Sequence, residues 1–71
     1  MSSVNHPTHY NTGRIEVIDV IDDWSLGFYE GNIVKYVARS NYKGCRLQDL
    51  EKASWYLRRL IEIEKAKNEA G

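Results

Sequence analysis

The chain has 71 residues, a formal net charge of zero and one cysteine, and 42% of its residues are hydrophobic. A chain of this length forms one small domain that buries only about 60% of the surface its unfolded form exposes. A single thiol excludes an intrachain disulfide, and no apolar run reaches the roughly 18 residues typical of a membrane span. The start of the sequence has no signal-peptide pattern, so we expect a cytoplasmic protein with no membrane partner.

The small core predicts self-association. Domains of this size usually need a disulfide, a metal or a partner subunit to be stable, so we expect a homo-oligomer, either a dimer or a tetramer. No cofactor and no metal site is predicted. His6 and His9 lie three residues apart, but a structural zinc ion needs four ligands. Asp19 and Asp22 could hold Mg²⁺ on one helical face, although a solvated acidic face is the more common arrangement.

Residues 1–14 contain Pro7 and Gly13 and no helical period, which predicts an N-terminal arm before the helices of residues 15–67. The arm is rich in side chains that could close over an anion or a base. These are His6, His9, Tyr10 and Asn11. An arm that is only hydrogen-bonded to the helices is equally compatible with the pattern.

The first helix is predicted from apolar residues spaced by three and four positions, from Val17 to Trp24. Ser25 is a plausible cap for the second helix, which we expect from about Phe28 to Ser40. The third helix is expected from Leu47 to about Lys67, a segment without glycine or proline. One apolar stripe is predicted along it. Its members are Leu50, Ala53, Leu57, Leu60 and Ile61, continued by Glu64, with Tyr56 and Ile63 beside it. The fold class is therefore all-α, a compact three-helix unit.

The charges are unevenly distributed along this neutral chain. Residues 16–30 contain five acids and no base, whereas residues 31–48 contain four bases and no acid. A local basic block in a neutral protein favours an anionic ligand over long nucleic acid, which usually needs a basic domain.

The second helix has two predicted faces at 100° per residue. Ile33, Val34 and Val37 are expected to face the core. The other face carries groups suited to a nucleotide, namely phosphate donors, an amide and an aromatic ring. These are Asn32, Lys35, Tyr36 and Arg39, with Lys43 beyond them. A solvated polar face is the alternative.

Trp55 falls on the charged side of the third helix, near Arg59. A large aromatic residue on such a face is commonly an interface residue, so Trp55 and Arg59 are predicted to contact another subunit. Packing of Trp55 under the arm and stacking of Trp55 on a ligand are the alternatives.

Four ordered blocks of residues resemble the SaV-like family of phage proteins, also called DUF3310, from about residue 5 to residue 62. The blocks are His6-Pro-x-His9-Tyr10, Ile15-Glu-Val-Ile-Asp19, Gly31-Asn32-x-x-Lys35-Tyr36-x-x-Arg39 and Asp49-Leu50-x-Lys52-Ala53-x-x-Tyr56-Leu57. The family includes a domain of the bacteriophage T7 nucleotide kinase, so the resemblance implies a nucleotide ligand and a location in the cytoplasm of a bacterial host.

The resemblance leaves three functions open. Sequestering a cyclic or linear nucleotide signal of bacterial immunity requires only binding, and we rank it first. A deoxynucleoside monophosphate kinase would have to hold a donor triphosphate, a metal and an acceptor, which is demanding for so small a chain. The third possibility is a helical adaptor that binds a host protein through Trp55.

Overall fold

A computed structural model describes residues 13–42 and 44–70, which form three helices and no strand. The helices are α1 (Val17–Asp23), α2 (Phe28–Arg39) and α3 (Arg46–Ala70). The all-α prediction is confirmed, and α3 is a few residues longer than the predicted segment from Leu47 to Lys67. No helix in the described part of the chain is long and apolar enough to cross a bilayer.

The end of α1 is made by a left-handed residue. Ser25 has a φ of 54°, and the Ser25 and Leu26 amides donate to the carbonyls of Asp22 and Ile21, at 3.2 and 3.0 Å. This pair of bonds satisfies carbonyls that a helix end otherwise leaves open. The prediction that Ser25 caps α2 is wrong, because Ser25 terminates α1 and Gly27 occupies the N-cap of α2.

Helices α1 and α2 meet where Ile21 lies beside Gly31. Gly31 is buried in α2, and a Cβ built there would lie 3.5 Å from two carbon atoms of Ile21. Ile21 therefore rests on the α2 backbone at this point.

Helices α2 and α3 run antiparallel. Near the start of α2 the ring of Phe28 lies 5.9 Å from that of Tyr56, and at its end Arg39 Nε lies 3.7 Å from Asp49 Oδ1. Since the first residue of α2 meets the middle of α3, the last turns of α3 extend beyond α2. The 25 residues of α3 span about 37 Å, against about 18 Å for the 12 residues of α2.

The connection from α2 to α3 is held by Arg46, the first residue of α3. Its Nη1 donates to Asn41 Oδ1 at 3.0 Å and approaches the carbonyl and hydroxyl oxygens of Ser40 at 3.5 and 3.4 Å. A cation at this position also complements the negative end of the α2 dipole. Ser40 is buried and donates to the Val37 carbonyl at 2.7 Å.

The predicted apolar stripe of α3 covers two rows of side chains that differ in burial. The inner row is buried or half-buried, and its members are spaced by four and three positions: Asp49, Ala53, Tyr56, Leu60 and Ile63. The outer row has the same kind of spacing and is largely exposed: Leu47, Leu50, Ser54, Leu57 and Ile61. The placement of Val37 in the core is also wrong, because Val37 is exposed.

Candidate ligand-binding surface

Tyr56 is the centre of an aromatic cluster between α2 and α3. Its ring lies 6.0 Å from Tyr36 at an interplanar angle of 14°, which is a stacked arrangement. Phe28 and Trp55 meet the same ring edge to face at 5.9 and 5.1 Å, and Tyr29 lies 6.4 Å away. Aromatic pairs at these separations contribute beyond the area they bury, so the cluster holds the two helices in register.

Two lysines from different helices converge on the Tyr36 ring. Lys35 Nζ lies 4.6 Å from the ring centroid and Lys52 Nζ lies 5.4 Å from it. The electron-rich face of an aromatic ring attracts cations at such distances. The two ammonium groups repel each other, and an anion placed between them would relieve this repulsion.

Neither lysine has an acidic partner in residues 13–42 and 44–70. On the α2–α3 side the ion pair joins Arg39 to Asp49, and among the residues that the structure describes it does not include Lys35 or Lys52. By contrast, an open groove along α1 is lined by Asp19, Asp22 and Asp23. The charge distribution therefore directs an anion to the α2–α3 side of the molecule and away from α1.

The exposed edge of this region is formed by Trp55, whose side chain is 58% exposed. Its ring meets the Tyr56 ring at a steep angle of 86°, and the exposed part of this large aromatic residue borders the cluster. Together, Lys35, Tyr36, Lys52, Trp55 and Tyr56 form what we call the basic–aromatic surface. Arg59 follows Trp55 by four residues on the same side of α3 and is exposed. Their predicted role in a subunit interface stays a prediction.

The predicted polar face of α2 is not a separate solvated face. Tyr36 stacks on α3, and Arg39 pairs with Asp49, whose side chain is only 1% exposed. Because Oδ2 of Asp49 accepts no hydrogen bond from the described residues, Arg39 is important for the electrostatic balance of this carboxylate. Asn32 Nδ2 donates to the Phe28 carbonyl at 2.8 Å, which leaves its amide oxygen as an acceptor.

The remaining predicted site residues lie outside the described residues. These are His6, His9, Tyr10, Asn11 and Lys43. Their proposed contact with a ligand stays a prediction. Within the described ranges, no three His, Cys, Asp or Glu side chains come together in a group that could hold a metal ion.

Lys52 and Tyr56 were not assigned to the site by the sequence reasoning, although both belong to the last block of the family resemblance. Their spacing of four residues places them on one side of α3, and Trp55 and Arg59 fall on the same side. This spacing was the feature of the sequence that could have grouped Lys52 and Tyr56 with Trp55. It could not show that this side of α3 lies next to α2, because helical periodicity gives angles within one helix only.

The basic–aromatic surface lies within the part of the chain that a protein-family model matches. The model of the family described as a protein of unknown function (DUF3310) matches residues 4–58, which include every member of the basic–aromatic surface. No curated protein and no solved structure matches the chain. With a match over most of its length, the chain belongs to the DUF3310 family.

Proposed function

We propose that this protein binds a nucleotide at the basic–aromatic surface and sequesters it without phosphoryl transfer. One observation carries the proposal. Lys35 and Lys52, from separate helices, converge on the Tyr36 ring without an acidic partner in the described chain. The exposed Trp55 contacts Tyr56, the ring that stacks on Tyr36. A nucleotide combines the two groups that such a surface recognises, a phosphate and a flat base.

In this proposal the phosphate lies between the two ammonium groups. Hydrogen bonds to charged groups contribute roughly 1.5–3 kcal/mol each, so either lysine alone should account for about a tenfold change in affinity. The base stacks on the accessible face of Trp55, an interaction worth about 1–3 kcal/mol. Arg39 stays a proposed phosphate contact, and it also compensates the negative charge of the buried Asp49 carboxylate.

The ligand class is proposed to be a nucleotide signal, cyclic or linear, of bacterial immunity against phages. This step is supported by the resemblance of the sequence to a phage family, and by the modest demands of binding compared with catalysis. A kinase would need a triphosphate, a metal and an acceptor held together away from water. The kinase and the host-protein adaptor are separate outcomes of the experiments below.

Trp55 supplies a direct binding signal if the other tryptophan is removed. In the variant Trp24→Phe, Trp55 is the single tryptophan. Its fluorescence should be quenched when nucleoside monophosphates, nucleoside diphosphates or cyclic dinucleotides are added. Trp24 lies at the end of α1 and is exposed, so the substitution should leave the surface intact. Absence of quenching and of calorimetric heat with all of these compounds would contradict the proposal.

Matched lysine variants test the position of the site. Lys35→Ala and Lys52→Ala should each weaken binding by about tenfold or more. Lys65→Ala removes the same charge from an exposed position further along α3 and should change the affinity less than about twofold. Equal losses in all three variants would indicate a nonspecific charge effect and exclude this surface as the site.

Two measurements distinguish sequestration from catalysis. Mass spectrometry of small molecules released from the purified protein should identify a retained nucleotide. Incubation with ATP, Mg²⁺ and each deoxynucleoside monophosphate should give no diphosphate product. Turnover would favour the kinase, whereas a retained host protein without any nucleotide would favour the adaptor.

A further inference from the structure

The outer row of α3 has the pattern of a helix–helix seam. Its spacing of three, four, three and four residues is the a/d spacing of a coiled coil. Leu47, Leu57 and Ile61 are 69%, 46% and 44% exposed, and Leu50 is half-buried. Helix α2 already occupies the inner row, so it does not cover this second seam.

We propose that the outer row pairs with the outer row of a second copy of this chain, in antiparallel orientation, with the two-fold axis at Ser54. In this register Leu47 lies opposite Ile61 of the second copy, and Leu50 lies opposite its Leu57. All four apolar members of the row are then buried in two symmetrical layers on each side of the axis. A closed two-fold pair also leaves no complementary patch for further growth.

Charge complementarity selects the antiparallel orientation. Glu51 and Arg58 are exposed and follow the same edge of the outer row, seven residues apart. In an antiparallel pair each edge faces itself, so Glu51 of one copy meets Arg58 of the other on both sides of the axis. In a parallel pair this edge faces the opposite edge, which holds Ala53 and Leu60 and offers no charge partner.

The residue at the axis is suited to a close crossing. Ser54 is small, and its hydroxyl accepts a hydrogen bond from Arg58 Nη2 at 3.1 Å. This bond lays the arginine along the edge of the row, where its partner's glutamate would meet it. Small residues at a crossing point allow two helix backbones to approach each other.

This interface is different from the predicted one at Trp55 and Arg59. At 100° per residue, these two side chains point about 120–160° away from the centre of the outer row. The pairing therefore leaves the basic–aromatic surface free, and it does not depend on the proposed nucleotide function.

Charge reversal with rescue tests the pairing without removing an apolar side chain. Sedimentation velocity from 1 to 200 μM should show a dimer for the unmodified protein. Glu51→Arg should weaken it about tenfold or more by placing arginines against each other, and the double variant Glu51→Arg/Arg58→Glu should restore it. Arg59→Glu, a charge reversal on the other side of α3, should have little effect. A monomer throughout would overturn the proposal, as would a dimer that Arg59→Glu disrupts and Glu51→Arg does not.

Cysteine cross-linking tests the orientation. In a Cys45→Ser background, an equal mixture of Leu47→Cys and Ile61→Cys chains should form the mixed disulfide on mild oxidation. Leu47→Cys alone should not cross-link, because its two copies would be about 20 Å apart along the pair. Efficient cross-linking of Leu47→Cys with itself, without the mixed product, would establish a parallel pair and overturn the proposed register.

Discussion

The two rows of α3 differ in composition and in burial. The inner row buries the Asp49 carboxylate and the small Ala53, and it half-buries the Tyr56 ring together with Leu60 and Ile63. The outer row exposes leucine and isoleucine side chains. In α3, hydrophobicity alone therefore does not indicate which residues are buried. The inner row is organised by charge and ring stacking, and the outer row offers the apolar surface for an additional contact.

The largest effect is expected from a substitution at the charged end of the inner row, where Arg39 pairs with Asp49. Arg39→Ala should lower the free energy of unfolding by about 3–5 kcal/mol, because it leaves the Asp49 carboxylate buried without its cation. Urea denaturation followed by circular dichroism at 222 nm measures the change. Arg59→Ala is the control, because it removes an exposed arginine, and it should change the free energy of unfolding by less than about 0.5 kcal/mol.

The double variant Arg39→Ala/Asp49→Asn gives a further control, because it removes the buried charge as well. It should recover part of the stability that Arg39→Ala loses. A loss of less than about 1 kcal/mol in Arg39→Ala would show that Asp49 does not depend on Arg39.

Adjacent substitutions compare the two rows directly. Ala53→Leu should destabilise the fold by about 1–3 kcal/mol, because extra methylene groups do not fit between packed helices. Ser54→Leu adds a similar volume one residue later, on the exposed outer row, and should change the stability of the dilute protein by less than about 0.5 kcal/mol. Equal losses in thermal and urea unfolding would mean that the outer row is already covered within one chain.

The contact between α1 and α2 gives the smallest expected effect. Gly31→Ala places a methyl group at ordinary contact distance from Ile21 and removes a glycine from the helix interior. The free energy of unfolding should therefore rise by up to about 1 kcal/mol. A rise in the melting temperature by differential scanning calorimetry checks this. A fall would show that Ile21 cannot accept the added methyl group.

Much of the fold follows from local sequence pattern. The start of α2 at Phe28 and the long glycine-free α3 were predicted because periodicity and the absence of breakers act within a single segment. The end of α1 was misassigned because Ser25 is as compatible with a helix start as with a left-handed helix end. No local rule distinguishes the two until the Leu26 amide bond to Ile21 is seen.

The candidate site was predicted mainly from its α2 side, with Trp55 of α3 assigned to a subunit interface and ligand stacking as an alternative. Lys35 and Tyr36 were identified because the basic block and the 100° period place them together. Lys52 and Tyr56 depend on how α3 lies against α2, and the inner row that decides this contains an aspartate where an apolar residue is expected. The predicted apolar stripe therefore combined Ala53 and Leu60 of the inner row with Leu57 and Ile61, which are exposed.

The placement of Lys52 and Trp55 on the side of α3 away from Ser54 has a consequence for capacity. Two chains joined along their outer rows would present their basic–aromatic surfaces in opposite directions, about two helix diameters or 20 Å apart. One small ligand could not bridge both surfaces, so pairing would add no avidity. Each chain would remove one molecule from solution, paired or single, and the amount withdrawn would rise in direct proportion to the number of chains made.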